Sequence, residues 1–350
     1  MKYANTTGTR GITSLVFKIV HNSIRGLNSQ RNGKGCLVIT FCLLFYSTYS
    51  NSRAGSKIAP LVKKVYAKVD SNKIDLGKYI LGVQLNGEAK AIPLSLICYY
   101  HMLCDTVGGK PIMFTYCVLC RSARAFSTII NGKAETFRLK GVANGNAVFE
   151  DESTRSTWQQ ETGEAINGAL KGKVLDEIPS EQMTLRAWIA LHPTTLILQD
   201  EKDPYDSLAL THLDRGDDER IEGDSASWEP KSWIIGVVVE GKSKAYDWLQ
   251  LKKKRIICDD IGMIPIAIML DDDTMSFHAF RRDAAGDTAA VFTWNERKKA
   301  FSDIKTRSIW SGTGECLHGI LKGARLIPLP CYQEYWDSWK KFHPETDIMN

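Results

Sequence analysis

Most of the features that would name a function outright are missing from this chain. Its net charge of +5 comes from 45 basic and 40 acidic residues spread along 350 positions. That is a mixed, solvated surface with no nucleic-acid footprint. The one basic run, Lys252-Lys253-Lys254-Arg255, follows a short helical pattern and reads as an exposed helix end. No second C-x-x-C exists to complete a closed zinc site, no alternation of strand and helix of the thioredoxin kind surrounds the one that is present, and nothing indicates a nucleotide cofactor. A composition 43% hydrophobic and 24% charged excludes disordered and collagen-like classes.

What is present begins with a targeting segment. Arg31 and Lys34 precede the apolar run CLVITFCLLFY, Cys36 to Tyr46, which small polar residues follow. The run is too short for a bilayer span of roughly twenty residues and suits a signal sequence. Phe41 before Cys42 is too bulky for lipid attachment, so residues 1–53 read as a signal or anchor, cleaved near Ser47 to Ser52 or retained, with the first thirty residues an over-extended start. Membrane attachment is expected through this segment alone. The folded part is expected outside the cytoplasm, periplasmic, secreted or N-terminally anchored.

The chain also contains itself twice. ILGVQLNGEAKAIPL (Ile80 to Leu94) returns as IIGVVVEGKSKAYDW (Ile234 to Trp248), and LCDTVGGKPI (Leu103 to Ile112) as ICDDIGMIPI (Ile257 to Ile266). STRSTWQQETGEAINGALKGKVLDEIP (Ser153 to Pro179) answers to IKTRSIWSGTGECLHGILKGARLIPLP (Ile304 to Pro330), and AWIALHP to SWKKFHP. The expected organisation is a first unit over 74–199, an acidic linker over 200–231 and a second unit over 232–348, each of domain size. Alternating strands around Asn86-Gly87, Gly108-Gly109 and Asn131-Gly132 predict hairpins. PSEQMTLRAWIALHP predicts a helix with Ser180 as N-cap. The class is α+β, mainly antiparallel β with a few short helices, in two tandem related units.

Chemistry concentrates in TYCVLCRSARAF, Thr115 to Phe126. The gap-free register of the repeat places Asp271 over Cys117 and Thr274 over Cys120, so the second unit has lost the pair and the fold of a unit does not depend on it. A strand running into C-x-x-C and out into a strand suits a thiolate knuckle for a soft metal, copper, zinc or iron. His101, Cys98, Cys104 and His278 are the candidates to complete it, and Arg121, Arg124 and Phe126 would set thiol charge and access. The alternatives are a thiol-disulfide oxidoreductase using the same pair, a nucleophilic cysteine with a histidine base, and a non-catalytic ligand-binding or interaction protein with structural cysteines. Seven cysteines lie beyond the targeting segment, an odd number that leaves at least one thiol outside any internal pairing.

Arg155, Trp158 and Glu164 recur as Arg307, Trp310 and Glu315, a ligand-pocket lining or a structural network. His192 and His343 end the same helix in both units and read as C-terminal caps. Glu150, Asp151 and Glu152 read as a solvated turn. Together YCVLC, FED, STRSTWQQETGEA, G-x-L-K-G and W-x-x-x-HP resemble the family catalogued as domain of unknown function 3179, across nearly all of the first unit and more weakly the second. Its members carry an aromatic-Cys-Pro-x-Cys-Gly motif. Here Val118 stands in place of the proline and Arg121 in place of the glycine, with both thiols kept. The resemblance implies an exported bacterial protein and brings no established activity.

Overall fold

A computed structural model describes residues 64–199, 228–283 and 289–349, all within one compact unit, residues 58–350. Residues 1–53, expected to be a targeting segment, and most of the expected linker over 200–231 lie outside the described residues. Among those described, no helix is long and apolar enough to cross a membrane. Antiparallel strands dominate, arranged in several small sheets with four short helices.

The first half opens with the hairpin Tyr79–Leu85 and Glu88–Pro93. Asn86 and Gly87 turn it with φ of 49° and 84°, the left-handed pair a two-residue hairpin requires. Helix α1, Leu94–Tyr100, follows and buries Leu94, Leu96, Ile97 and Cys98. Next comes the three-stranded sheet Met102–Val107, Lys110–Cys117 and Ser122–Ser127. A four-stranded sheet with Phe137–Ala143, Asn146–Asp151, Thr157–Gln159 and Ala165–Asn167 completes the layer over the cysteines. Helix α2, Leu185–Leu191, lies on the opening hairpin.

The helix predicted from Ser180 starts later. Glu181–Thr184 is a strand paired with Tyr79–Gly82, because Met183 alternates into the core at 0% exposure. Thr184 is the N-cap, its hydroxyl accepting the Ala187 N–H at 3.2 Å. His192 and His343 are the C-caps of α2 and of α4, Trp336–Phe342, as expected, each ring packed on the tryptophan a turn earlier.

From residue 232 onward the pairings run in a parallel order: hairpin Trp233–Val239 and Lys242–Asp247, helix α3 (Trp248–Lys254), then Ile256–Ile261, Ile264–Leu270 and Phe277–Arg281. One close approach occurs in both halves. A Cβ on Gly82 would sit 2.4 Å from the Trp188 ring, and one on Gly236 2.2 Å from the Trp339 ring. Each glycine is therefore the floor on which a helix tryptophan lies.

The halves also grip each other. Tyr335 donates its N–H to the Cys120 carbonyl at 2.9 Å, and Thr184 N–H donates to Ser276 Oγ at 3.0 Å in the reverse direction. Tyr79 Oη donates to the Met275 carbonyl at 2.8 Å, while the Arg121 guanidinium lies over the Trp233 ring, 3.1 Å from its centre. The turn after the central strand of each half is thus seated on the first strand of the other.

Candidate functional site

Cys117 ends its strand opposite Ser122, and the Cys120 N–H closes the turn on the Cys117 carbonyl at 3.2 Å. Arg121 follows with φ of 58°, a left-handed conformation that costs a non-glycine residue. Its side chain is held against Trp233. The turn brings the two Sγ atoms to 2.9 Å, each residue 2% exposed, and no disulfide joins the described cysteines.

The two thiols sit in unlike fields. Cys117 receives the Cys120 thiol, with backbone N–H groups of Ala147, Cys120 and Leu119 also aimed at its sulfur, and these outweigh burial to hold it below the ordinary thiol value. Cys120 is pushed the other way by the same contact with Cys117 and by burial. A thiolate at Cys117 with a protonated Cys120 is the arrangement this favours. Asn146 Nδ2 donates to Cys120 Sγ at 3.1 Å, the Gly145 carbonyl lies 3.3 Å from it, and the Ser338 hydroxyl of α4, otherwise without a partner, is turned toward it.

Behind the sulfurs runs a buried amide network. Asn146 also donates to Gln160 Oε1 at 2.9 Å, and Gln160 accepts from Ser122 Oγ at 2.9 Å and donates to Thr115 Oγ1 at 3.2 Å. Arg124 is ion-paired to Glu161 and to Glu334 at 3.0 Å, 3.7 Å from Glu177, and stacked on Tyr332. One guanidinium between two fully buried carboxylates leaves an excess negative charge, so burial and the Glu161 charge drive the Glu334 carboxyl well above its usual range. Burial and the neighbouring Glu161 thus both favour the protonated form of Glu334.

Of the residues expected around the pair, Phe126 packs in the same apolar cluster as both thiols. Arg124 and Arg121 are committed to the carboxylates and to Trp233. Cys104, opposite Met113, borders that cluster, its thiol raised by burial. Cys98 is in the first-half core. His101 caps α1 and its carbonyl accepts the Tyr116 N–H at 3.0 Å. His278 lies elsewhere, with Nδ1 3.3 Å from Glu181 and Nε2 3.6 Å from Asp271. Among the described residues, no group of three or more His, Cys, Asp or Glu side chains is placed to hold a metal ion.

Arg155 and Glu164 do not meet. Arg155 Nη1 reaches Glu150 at 3.2 Å, Trp158 Nε1 donates to Asp151 at 2.8 Å, and Glu164 bridges to Val174. The solvated turn expected at Glu150 to Glu152 is corrected: Glu150 and Asp151 are buried in a strand. Glu150 is compensated by Lys140, Arg138 and Arg155 and held near a pKa of about 2. Asn146, Gln160, Glu161, Glu334 and Ser338 had not been singled out. A signal for two of them was available, because Gln159-Gln160-Glu161 faces the shorter Ser311-Gly312 in the second half.

A strand-borne dithiol in a mainly antiparallel β framework is the class of site this geometry defines. The chain belongs to the family described as "Protein of unknown function (DUF3179)", whose pattern matches residues 57–346. No curated protein and no solved structure matches it.

Proposed function

We propose that Cys117 and Cys120 form a redox-active dithiol that a small disulfide molecule oxidises to an intramolecular disulfide. The observation that carries this reading is the 2.9 Å Sγ to Sγ contact with the two thiols pushed in opposite directions. Cys117 thiolate attacks one sulfur of the substrate disulfide, forming a mixed disulfide and expelling the first thiolate, which takes the proton from Cys120. The Cys120 thiolate then attacks Cys117 Sγ, closing the internal disulfide and expelling the second product thiolate, which is protonated from solvent. Two electrons pass from protein to substrate. With both thiols 2% exposed, a small molecule rather than a protein disulfide fits the access. The test is equilibration of the full chain in glutathione buffers, acid trapping and mass mapping. A reversible Cys117–Cys120 disulfide between about −270 and −120 mV, the range of catalytic dithiols, is expected, and one that stays closed below about −300 mV would make the pair structural.

A second reading is favoured by the fan of N–H groups on Cys117, which stabilises a metal-bound thiolate as well as a free one. With two thiolates assembled, the ion suited to it is a two-coordinate soft one such as cuprous copper rather than four-coordinate zinc. Metal content of protein purified anaerobically, beside Cys117→Ser and Cys120→Ser, separates the readings: one equivalent lost in both variants selects metal. We further infer export, from residues 36–46, which recovery of the chain in the cytoplasmic fraction would exclude. Internal duplication is inferred from the matching strand order of the sheets and the paired glycine and tryptophan positions, and relatives in which the two halves share none of these positions would exclude it.

A further inference from the structure

Beside the dithiol, and independent of its chemistry, lies a cluster of buried donors without acceptors. Arg121 is 1% exposed, yet its Nε and Nη1 find no hydrogen-bond partner among the described residues. The Tyr116 hydroxyl, on the strand leading into the turn, is equally unpartnered at 0% exposure, and Arg121 is near enough that its charge offsets part of the rise that burial imposes on Tyr116 and Tyr79. Trp233, under the guanidinium, has an unpartnered Nε1–H, as does Trp248, 6.3 Å away between ring centres. Every one of these groups is an N–H or O–H donor.

A desolvated guanidinium with no counter-charge is unstable, and stacking on an indole replaces only part of its hydration. The second half sharpens the point. At the positions corresponding to Arg121, Tyr116, Trp233 and Trp248 the repeat register places Met275, Leu270, Tyr79 and Leu94. There the one donor, Tyr79 Oη, is satisfied by the Met275 carbonyl. One member of a pair of corresponding places is apolar and complete, and the other is furnished with donors that lack an acceptor.

We propose that Arg121, Tyr116 and Trp233 form a binding site for a small monovalent anion of halide size. The anion would supply both the missing charge and the missing acceptors, and would tie the Cys117–Arg121 turn to the first strand of the second half.

The test uses the full chain in sodium gluconate, titrated with sodium chloride and then sodium bromide at constant ionic strength, reading the thermal midpoint and tryptophan fluorescence. A saturable rise in the midpoint with a parallel fluorescence change is expected in the wild type. Arg121→Met should abolish both responses while matching or exceeding the wild-type midpoint in gluconate, since it removes an uncompensated charge. Tyr116→Phe, which keeps the ring, should weaken the apparent affinity roughly tenfold, and carries the test if Arg121→Met does not fold. Equal behaviour of the wild type in chloride and gluconate, or an unchanged response in either variant, overturns the proposal.

Discussion

The turn Cys117–Ser122 and the turn Asp271–Ser276 leave corresponding strands and solve the same backbone problem with different chemistry. In both, an N–H three residues on closes to the first carbonyl, Cys120 to Cys117 at 3.2 Å and Thr274 to Asp271 at 2.9 Å. The second turn is satisfied from within and from its neighbour: Asp273 accepts from Met275, Ser276 and Thr184. The first turn is left with a close, buried pair of thiols and a buried arginine. That the second turn closes without thiols is the contrast on which the chemical role proposed for the pair rests.

The next strand of each half extends the contrast. Arg124 and His278 occupy corresponding positions, and each is a buried cation flanked by carboxylates drawn from both halves. Arg124→Met leaves Glu161 buried without its counter-ion and Glu334 without its donor, and urea denaturation should show a loss of about 4 kcal/mol. Glu334→Gln puts a neutral isostere where burial and Glu161 favour the protonated carboxyl. Its cost should stay under about 1 kcal/mol, and a larger loss would mean that Glu334 is ionised.

His278 makes the sign of its pair measurable. Although burial opposes its charge, Asp271 and Glu181 raise its pKa from 6.5 to about 10. A raised cation stabilises most where the unfolded state also binds the proton, so the contribution is complete below pH 6.5 and is lost as pH rises through about 10. His278→Asn should therefore cost about 3 kcal/mol at pH 6 and progressively less toward pH 10. A gap that is flat with pH would show an uncharged histidine.

Gly82→Ala and Gly236→Ala should each cost about 2 to 3 kcal/mol, because both drive a methyl into a tryptophan ring, and unequal losses would show that the two helix seats differ. The smallest effect belongs to the thiols themselves. Cys117→Ser with Cys120→Ser should change the urea midpoint of the reduced protein by less than about 1 kcal/mol, as the cysteine-free second turn implies. A loss of several would make the pair part of the core's support.

The hairpins were legible because left-handed turns need Asn-Gly or a glycine, and those residues stand in the chain. The strand at Glu181–Thr184 was not, since Ser180 and the polar residues after it imitate a helix start while the Met183 contact that decides the matter is tertiary. The cysteine pair was legible as a motif of four positions. Its surroundings were not, because Asn146, Gln160, Tyr335 and Ser338 reach it from strands, turns and a helix far along the chain, and no local pattern marks a residue whose partner is that remote. His278, by contrast, was a candidate ligand for the pair only as a histidine of the second unit. Its own carboxylates explain it.

The most direct measurement is the pH dependence of Cys117 alkylation by a small reagent, followed by peptide mass analysis, in the reduced wild type and in Cys120→Ala. The expected result is a Cys117 that titrates below the ordinary thiol value of 9 and moves upward once the Cys120 thiol is removed. A Cys117 that titrates at or above 9, or that is indifferent to Cys120, would contradict the dithiol.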